Sequence, residues 1–368
     1  MASNNIFLMK AIVLSALLFN IIPLVLSDDH EPVPDDKSKL NEWFEKNVQP
    51  LESRKGTLDA DLVAAEAHFK IIKVRKDGSG DFKTVNAAIE SIPEKNTQRV
   101  IISIGPGNYT EKIRIERDKP FVTLYGDPKN MPVLVFHGTA AEYGTVQSAS
   151  LIVESDYFSA VNIIIVNSAP RPDHKREGAQ AVALRIGGDK ASFYNCRIHG
   201  FQDTLCDDKG KHLFKDCYIE GTVDFIFGDG KSLYLNVETY VIPGDRAAYV
   251  TAQAAKSEIW DTGYSFVHCN VTGTGGTAYL GRAWMPYAKV LFAYTEISDV
   301  VKPIGWSDNL HPEHGKTVFF AEYNTKGAGA NTKNRAEYTK MLTDAEAKPF
   351  LTLGYIEGSK WLLPPTQL

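Results

Sequence analysis

From Ile71 onward the chain sets short apolar, β-branched runs between Gly, Asn and Asp residues. Examples are Val100-Ile101-Ile102-Ser103-Ile104, Phe121-Val122-Thr123-Leu124-Tyr125 and Val161-Asn162-Ile163-Ile164-Ile165-Val166. Runs of this length at short intervals predict an all-β architecture. One helix candidate interrupts them early, over residues 84–92, and Pro93 stops it. Residues 28–70 read differently: polar, Pro-containing and partly helical in pattern (Leu40, Trp43, Phe44, Val48), an N-terminal arm and not a domain. Residues 334–361 also show helical patterning and are expected to pack outside the β-structure.

The strand pattern repeats itself. Phe193, Cys196, Ile198, Gly200 and Asp203 recur as Phe214, Cys217, Ile219, Gly221 and Asp224, all at one offset of 21 residues. Weaker copies sit at Leu235-Asn236-Val237-Glu238, His268-Cys269-Asn270-Val271 and Tyr294-Thr295-Glu296-Ile297, and one precedes them near Asn162. Unequal offsets are what turns of different length between similar strands produce. The repeat therefore predicts a parallel β-helix with peripheral helices, in which each coil is one repeat and equivalent positions stack. Cys196, Ile198 and their partners would face inward. A chance match inside a β-sandwich is the competing reading.

Superposed coils bring Asp203 and Asp224 together, about one strand spacing (~4.8 Å) apart. Like charges so placed repel and destabilise a sheet, so structure alone would favour Asn or Ser. Solvated turn aspartates are the plain alternative. Repulsion also separates two titrations, leaving one carboxyl protonated as an acid and the other ionised as a nucleophile. Gln202 beside Asp203, and Gln180 one coil earlier, offer amide donors for an oxyanion. Phe225-Ile226-Phe227 after Asp224 supplies an apolar flank. Asp207-Asp208 before Lys209-Gly210-Lys211 reads as a solvated turn, not a calcium loop. The nine histidines show no close-spaced ligand motif, so no metal or other cofactor is expected. No Ser lies in a Gly-x-Ser-x-Gly elbow.

Composition adds bounds. A net charge of −5, with 43% hydrophobic and 23% charged residues, suits a soluble globular chain with no general affinity for nucleic acid or membranes. Lys10 followed by an apolar run over residues 11–26 and ending Val25-Leu26-Ser27 predicts a cleaved secretory leader, residues 1–27. Four cysteines (Cys196, Cys206, Cys217, Cys269) are too few for a disulfide-dependent scaffold, and they leave three pairings open if all are bridged. Asn108 and Asn270 head N-glycosylation sequons.

Five ordered motifs then carry a resemblance: Gly107-Asn108-Tyr109-Thr110-Glu111, the Gln180 segment, Gly200-Phe201-Gln202-Asp203-Thr204-Leu205, Gly221-Thr222-Val223-Asp224-Phe225-Ile226-Phe227-Gly228 and Leu280-Gly281-Arg282-Ala283-Trp284. Together, over residues 71–363, they resemble the plant pectin methylesterases. The resemblance implies a right-handed parallel β-helix over residues 71–368 that removes C6 methyl esters from homogalacturonan in the cell wall. It implies Asp224 as nucleophile, Asp203 as acid and base, Gln180 and Gln202 as oxyanion donors, and Arg282 as the partner of Asp224. Trp284, Phe201 and, on a looser match, Thr145 are implied substrate contacts, beside Gln180 and Arg282. Ala283 stands where Pro is commoner, Cys206 where Tyr is commoner, and Phe201 where Tyr is frequent. About 40 residues between leader and β-structure are too few for the four-helix inhibitor-like pro-region of many relatives. A monomer is expected, with a separate inhibitor protein as a candidate partner. Two rivals stand beside this reading: a polygalacturonase-like glycosidase and a catalytically silent pectin-binding wall protein.

Overall fold

The computed structural model describes residues 29–368 other than 174 and 245. The predicted leader lies outside the described residues. Among the described residues no helix is long and apolar enough to cross a membrane.

The β-runs wind into coils, each contributing a strand to one of three sheets of 11, 8 and 8 strands. Neighbouring coils pair in parallel and in register, as in Phe193↔Phe214↔Tyr234↔Phe266↔Phe292 along the largest sheet. This is the parallel β-helix the repeat predicted, with the 21-residue offset realised as one turn of the winding. Stacked equivalence also fills the interior. Rings of Phe193, Phe214, Tyr234, Phe266 and Phe292 lie face to face with centroids 4.3–4.8 Å apart. Cys196, Cys217 and Cys269 occupy equivalent inward positions beside them, all buried free thiols, as is Cys206.

The corner before each of those inward residues explains the recurrent Asn and Asp. Asn162, Asn195, Asp216, Asn236 and His268 all have φ between 48° and 60°. This left-handed region is reached most readily by Gly, Asn and Asp. The corner side chains also bond along the stack: Asn195 Nδ2 donates to Asn162 Oδ1 at 2.8 Å, and Asn236 Nδ2 to Asp216 Oδ1 at 2.6 Å.

One end of the hollow is closed by the predicted early helix, Val85–Glu90, N-capped by the Thr84 hydroxyl. Its Val85, Ala88 and Ile89 join the core. Residues 29–69 form short helices whose Leu40, Trp43, Phe44 and Leu62 cover the outer face of the largest sheet, meeting Tyr194, Leu233 and Leu291. The C-terminal stretch departs from its helical expectation. Thr339–Met341 is a strand that extends the largest sheet at its far edge, and only short helical turns follow. Those turns do pack outside the coils, through Leu353, Ile356 and Trp361.

Asp207 corrects another expectation. It ends the strand Leu205–Asp207 in register with core residue Ile186, and it is fully buried. Alternation from Leu205 turns it inward, where its carboxylate meets His212 Nδ1 at 2.6 Å and accepts from the Tyr234 hydroxyl at 2.6 Å. Asp208, pointing the other way, pairs with Arg185.

Candidate active site

Three successive coils place the nominated polar residues side by side. The Ala181 N–H donates to the Gln202 carbonyl at 3.2 Å, and the Asp203 N–H to the Val223 carbonyl at 3.0 Å. Gln180, the Gln202–Asp203 pair and Asp224 are thereby carried on neighbouring coils at one corner. Both aspartates are left-handed (φ 66° and 52°) and buried, at 8% and 6% exposure. Burying two carboxyls this close is unfavourable unless at least one is neutral or paired.

Asp224 is paired. Arg282 Nε donates to its Oδ1 at 2.6 Å, and Arg282 Nη2 bonds Oδ2, a two-pronged grip that suits a guanidinium. Arg282 is itself fixed. Its Nη1 donates to Asn309 Oδ1 at 3.1 Å, and its guanidinium lies 4.8 Å from the Tyr249 ring centre and 5.1 Å from that of Trp284. Tyr249 and Asn309 were not found in the sequence. They sit on coils joined by longer turns, where the repeat fades.

The two carboxyls differ in consequence. Burial pushes Asp203 well above the ordinary carboxylate range, and the charge of Asp224 pushes it further, against a smaller pull from Arg282. Burial also raises Asp224, but the hydrogen bond and charge of Arg282 draw it back toward the ionised form. Asp203 is thus raised further than Asp224, so a proton shared by the pair rests more readily on Asp203.

Both aspartates open into one cleft of about 270 Å³ on the outer face of an eight-stranded sheet. Gln180, Gln202, Thr145, Arg282 and Trp284 line it with them, and Phe227 and Ala252 form apolar floor. Trp284 is 47% exposed, an open wall on which a flat ring can stack. Phe201 is the exception among the nominated residues. It does not line this cleft, and its ring faces Arg171 at 5.8 Å. Cys206 is buried against Ala149, Ile152 and Val182 beneath the cleft. The arrangement can present an ionised carboxylate, a proton donor and two amides to a single acyl carbon.

Outside the cleft, the structure gathers His311, Glu313 and His314 within 4.8 Å, although the sequence showed no close-spaced ligand motif among its histidines.

Comparisons with known proteins bear on the family and the fold. The sequence pattern of the family described as Pectinesterase matches residues 71–359. Pectinesterase 1 of Olea europaea is 63% identical over 357 residues, covering 97% of each chain. Probable pectinesterase 50 of Arabidopsis thaliana is 52% identical over 97% of this chain and 99% of its own. The structure of pectin methylesterase from carrot superposes with a TM-score of 0.74 at 30% identity, over 79% of this chain and 94% of that one.

Proposed function

The chain belongs to the pectinesterase family, and on that premise we propose a mechanism for its hydrolysis of pectin methyl esters in which Asp224 is the nucleophile and Asp203 the acid and base. The chain is a carboxylic ester hydrolase that yields methanol and free C6 carboxylates on homogalacturonan, and the β-helix supplies the cleft.

An Asp224 oxygen attacks the C6 carbonyl carbon, and the carbonyl electron pair moves onto oxygen. Gln180 and Gln202 donate to that oxyanion. When the carbonyl re-forms, the C6–O bond to methoxide breaks and the Asp203 proton passes to the leaving oxygen, releasing methanol. An acyl-enzyme joins C6 to Asp224. Asp203, now ionised, takes a proton from water as its oxygen attacks C6. The bond to Asp224 breaks, and the product leaves as the free acid. Arg282 keeps Asp224 oriented and ionised between cycles, and Trp284 and Thr145 hold the sugar chain. The observation that carries this reading is the two-pronged Arg282–Asp224 contact beside a buried, unpaired Asp203.

The test is methanol release from highly methylated pectin with each aspartate replaced singly. Loss of release in Asp224→Ala with pectin binding retained supports the assignment, and unchanged release refutes it. Methanol release without chain shortening separates this chemistry from glycoside hydrolysis. The same reading makes residues 1–27 a secretory leader and residues 71–368 the catalytic domain of a monomeric cell-wall protein, open to a separate inhibitor protein. Asn108 lies exposed on a strand, accessible to a glycan. A mobility shift on glycan removal checks passage through the secretory route.

A further inference from the structure

We propose that His311, Glu313 and His314 form a surface site for a borderline transition-metal ion of the Zn²⁺ class, seated behind the Trp284 wall. The three side chains offer two imidazole nitrogens and a carboxylate oxygen, all within 4.8 Å of one another. They belong to a tight turn: His311 precedes the short helix Pro312–Lys316, which carries the other two donors. Few backbone torsions therefore have to be fixed to bring them onto one ion.

The local contacts hold the three side chains close enough for one ion to draw them together. His314 Nδ1 lies 3.1 Å from the Ala283 carbonyl, which can only accept, so Nδ1 carries the hydrogen and Nε2 is the ring nitrogen left to bind an ion. A ring nitrogen tied to a backbone carbonyl, with its opposite nitrogen facing outward, is how metal-binding histidines are oriented. The His311 and His314 rings stand 4.7 Å apart and 19° from parallel, so a turn of the exposed His311 ring is needed to bring both lone pairs onto one ion. His311 Nδ1 lies 3.1 Å from Glu313 Oε1, leaving the carboxylate beside the imidazole pair. His311 and Glu313 are exposed, and their side chains can close the small remaining gap without moving the backbone.

Donor chemistry selects the ion. Two imidazoles and one carboxylate suit Zn²⁺, Cu²⁺ or Ni²⁺, whereas Ca²⁺ and Mg²⁺ require shells of oxygen. Three protein ligands leave a position for water, as in an open site. Ala283 lies between Arg282 and Trp284, so an ion holding His314 also holds the carbonyl that links the charge partner of Asp224 to the cleft wall.

Calorimetric titration of the purified protein with ZnCl₂ tests the proposal. One saturable ion per chain is expected, not displaced by millimolar Ca²⁺ or Mg²⁺. His311→Ala and His314→Ala should each weaken binding about tenfold or more, and Glu313→Gln less. His137→Ala, a histidine outside the cluster, should leave it unchanged. His311→Ala and Glu313→Gln alter exposed side chains, so they read binding apart from folding. Absence of saturable binding, or stoichiometry and affinity unchanged in the His311→Ala/His314→Ala double variant, would overturn it.

Discussion

Asp203 and Asp224 take up the same left-handed corner on adjacent coils, and only Asp224 is clasped by an arginine. The pair is symmetric in backbone and asymmetric in partners, and the proposed division of labour rests on that asymmetry. Asp224→Asn should lower the methanol-release rate by about 10⁴-fold, as loss of a nucleophile does. Gln202→Ala should cost less, about 10²-fold, as one oxyanion donor among two. Equal residual rates in the two variants would undermine the roles.

Activity against pH should follow the same division. As pH rises through the elevated Asp203 value, the proton donor is lost and kcat/KM falls. As pH falls through the Asp224 value, the nucleophile is lost. Arg282→Gln removes the cation that draws Asp224 down, so the acidic limb of the profile should move to higher pH. A profile whose acidic limb stays in place would show that Arg282 does not tune Asp224.

His212 links the core to pH. Both of its ring nitrogens meet acceptors, Asp207 at 2.6 Å and the Gly188 carbonyl at 2.9 Å, so both carry hydrogens. Burial opposes that charge, but the Asp207 carboxylate, the Gly188 carbonyl and Asp189 together raise His212 above its ordinary value. The raised value makes the contribution complete below an unfolded histidine value of about 6.5. Stability should then decline as pH climbs through the folded value. Thermal melts from pH 6 to 9 should show this decline in the wild type and a flatter curve in His212→Gln. Asp207→Asn should cost about 3–5 kcal/mol in urea unfolding, because it strips a buried cation of its partner.

The aromatic column gives a test of stacking. Phe214 is sandwiched between Phe193 and Tyr234 and wholly buried, so Phe214→Ala should cost about 3–5 kcal/mol of unfolding free energy. Trp284→Ala, at an exposed wall, should change stability by no more than about 0.5 kcal/mol and raise KM for pectin. A destabilised Trp284→Ala protein would mean the wall supports the fold.

The winding was legible because Asn and Asp at the corners and Phe and Cys inside recur wherever two coils have equal length. The cleft was legible where its residues share that repeat, as Asp203 and Asp224 do, with Gln202 found beside Asp203. Tyr249, Asn309 and the His311 turn escaped because they come from coils with unequal connections, where no offset aligns them. Asp207 was misread because neighbouring charges suggested solvent, while strand alternation, counted from Leu205, turns it inward. Phe201 follows its motif in sequence, yet its ring faces Arg171, because a residue next to a lining position on the chain need not share its direction.

The short helix that stoppers the hollow has a meaning for association. An uncapped coil would present open amides and carbonyls, together with a greasy lumen, to any copy arriving in line. With Val85, Ala88 and Ile89 wedged across that mouth, this end of the coil offers no open lumen to a second copy. A short plug thus removes one of the two surfaces that a head-to-tail stack of coils would need.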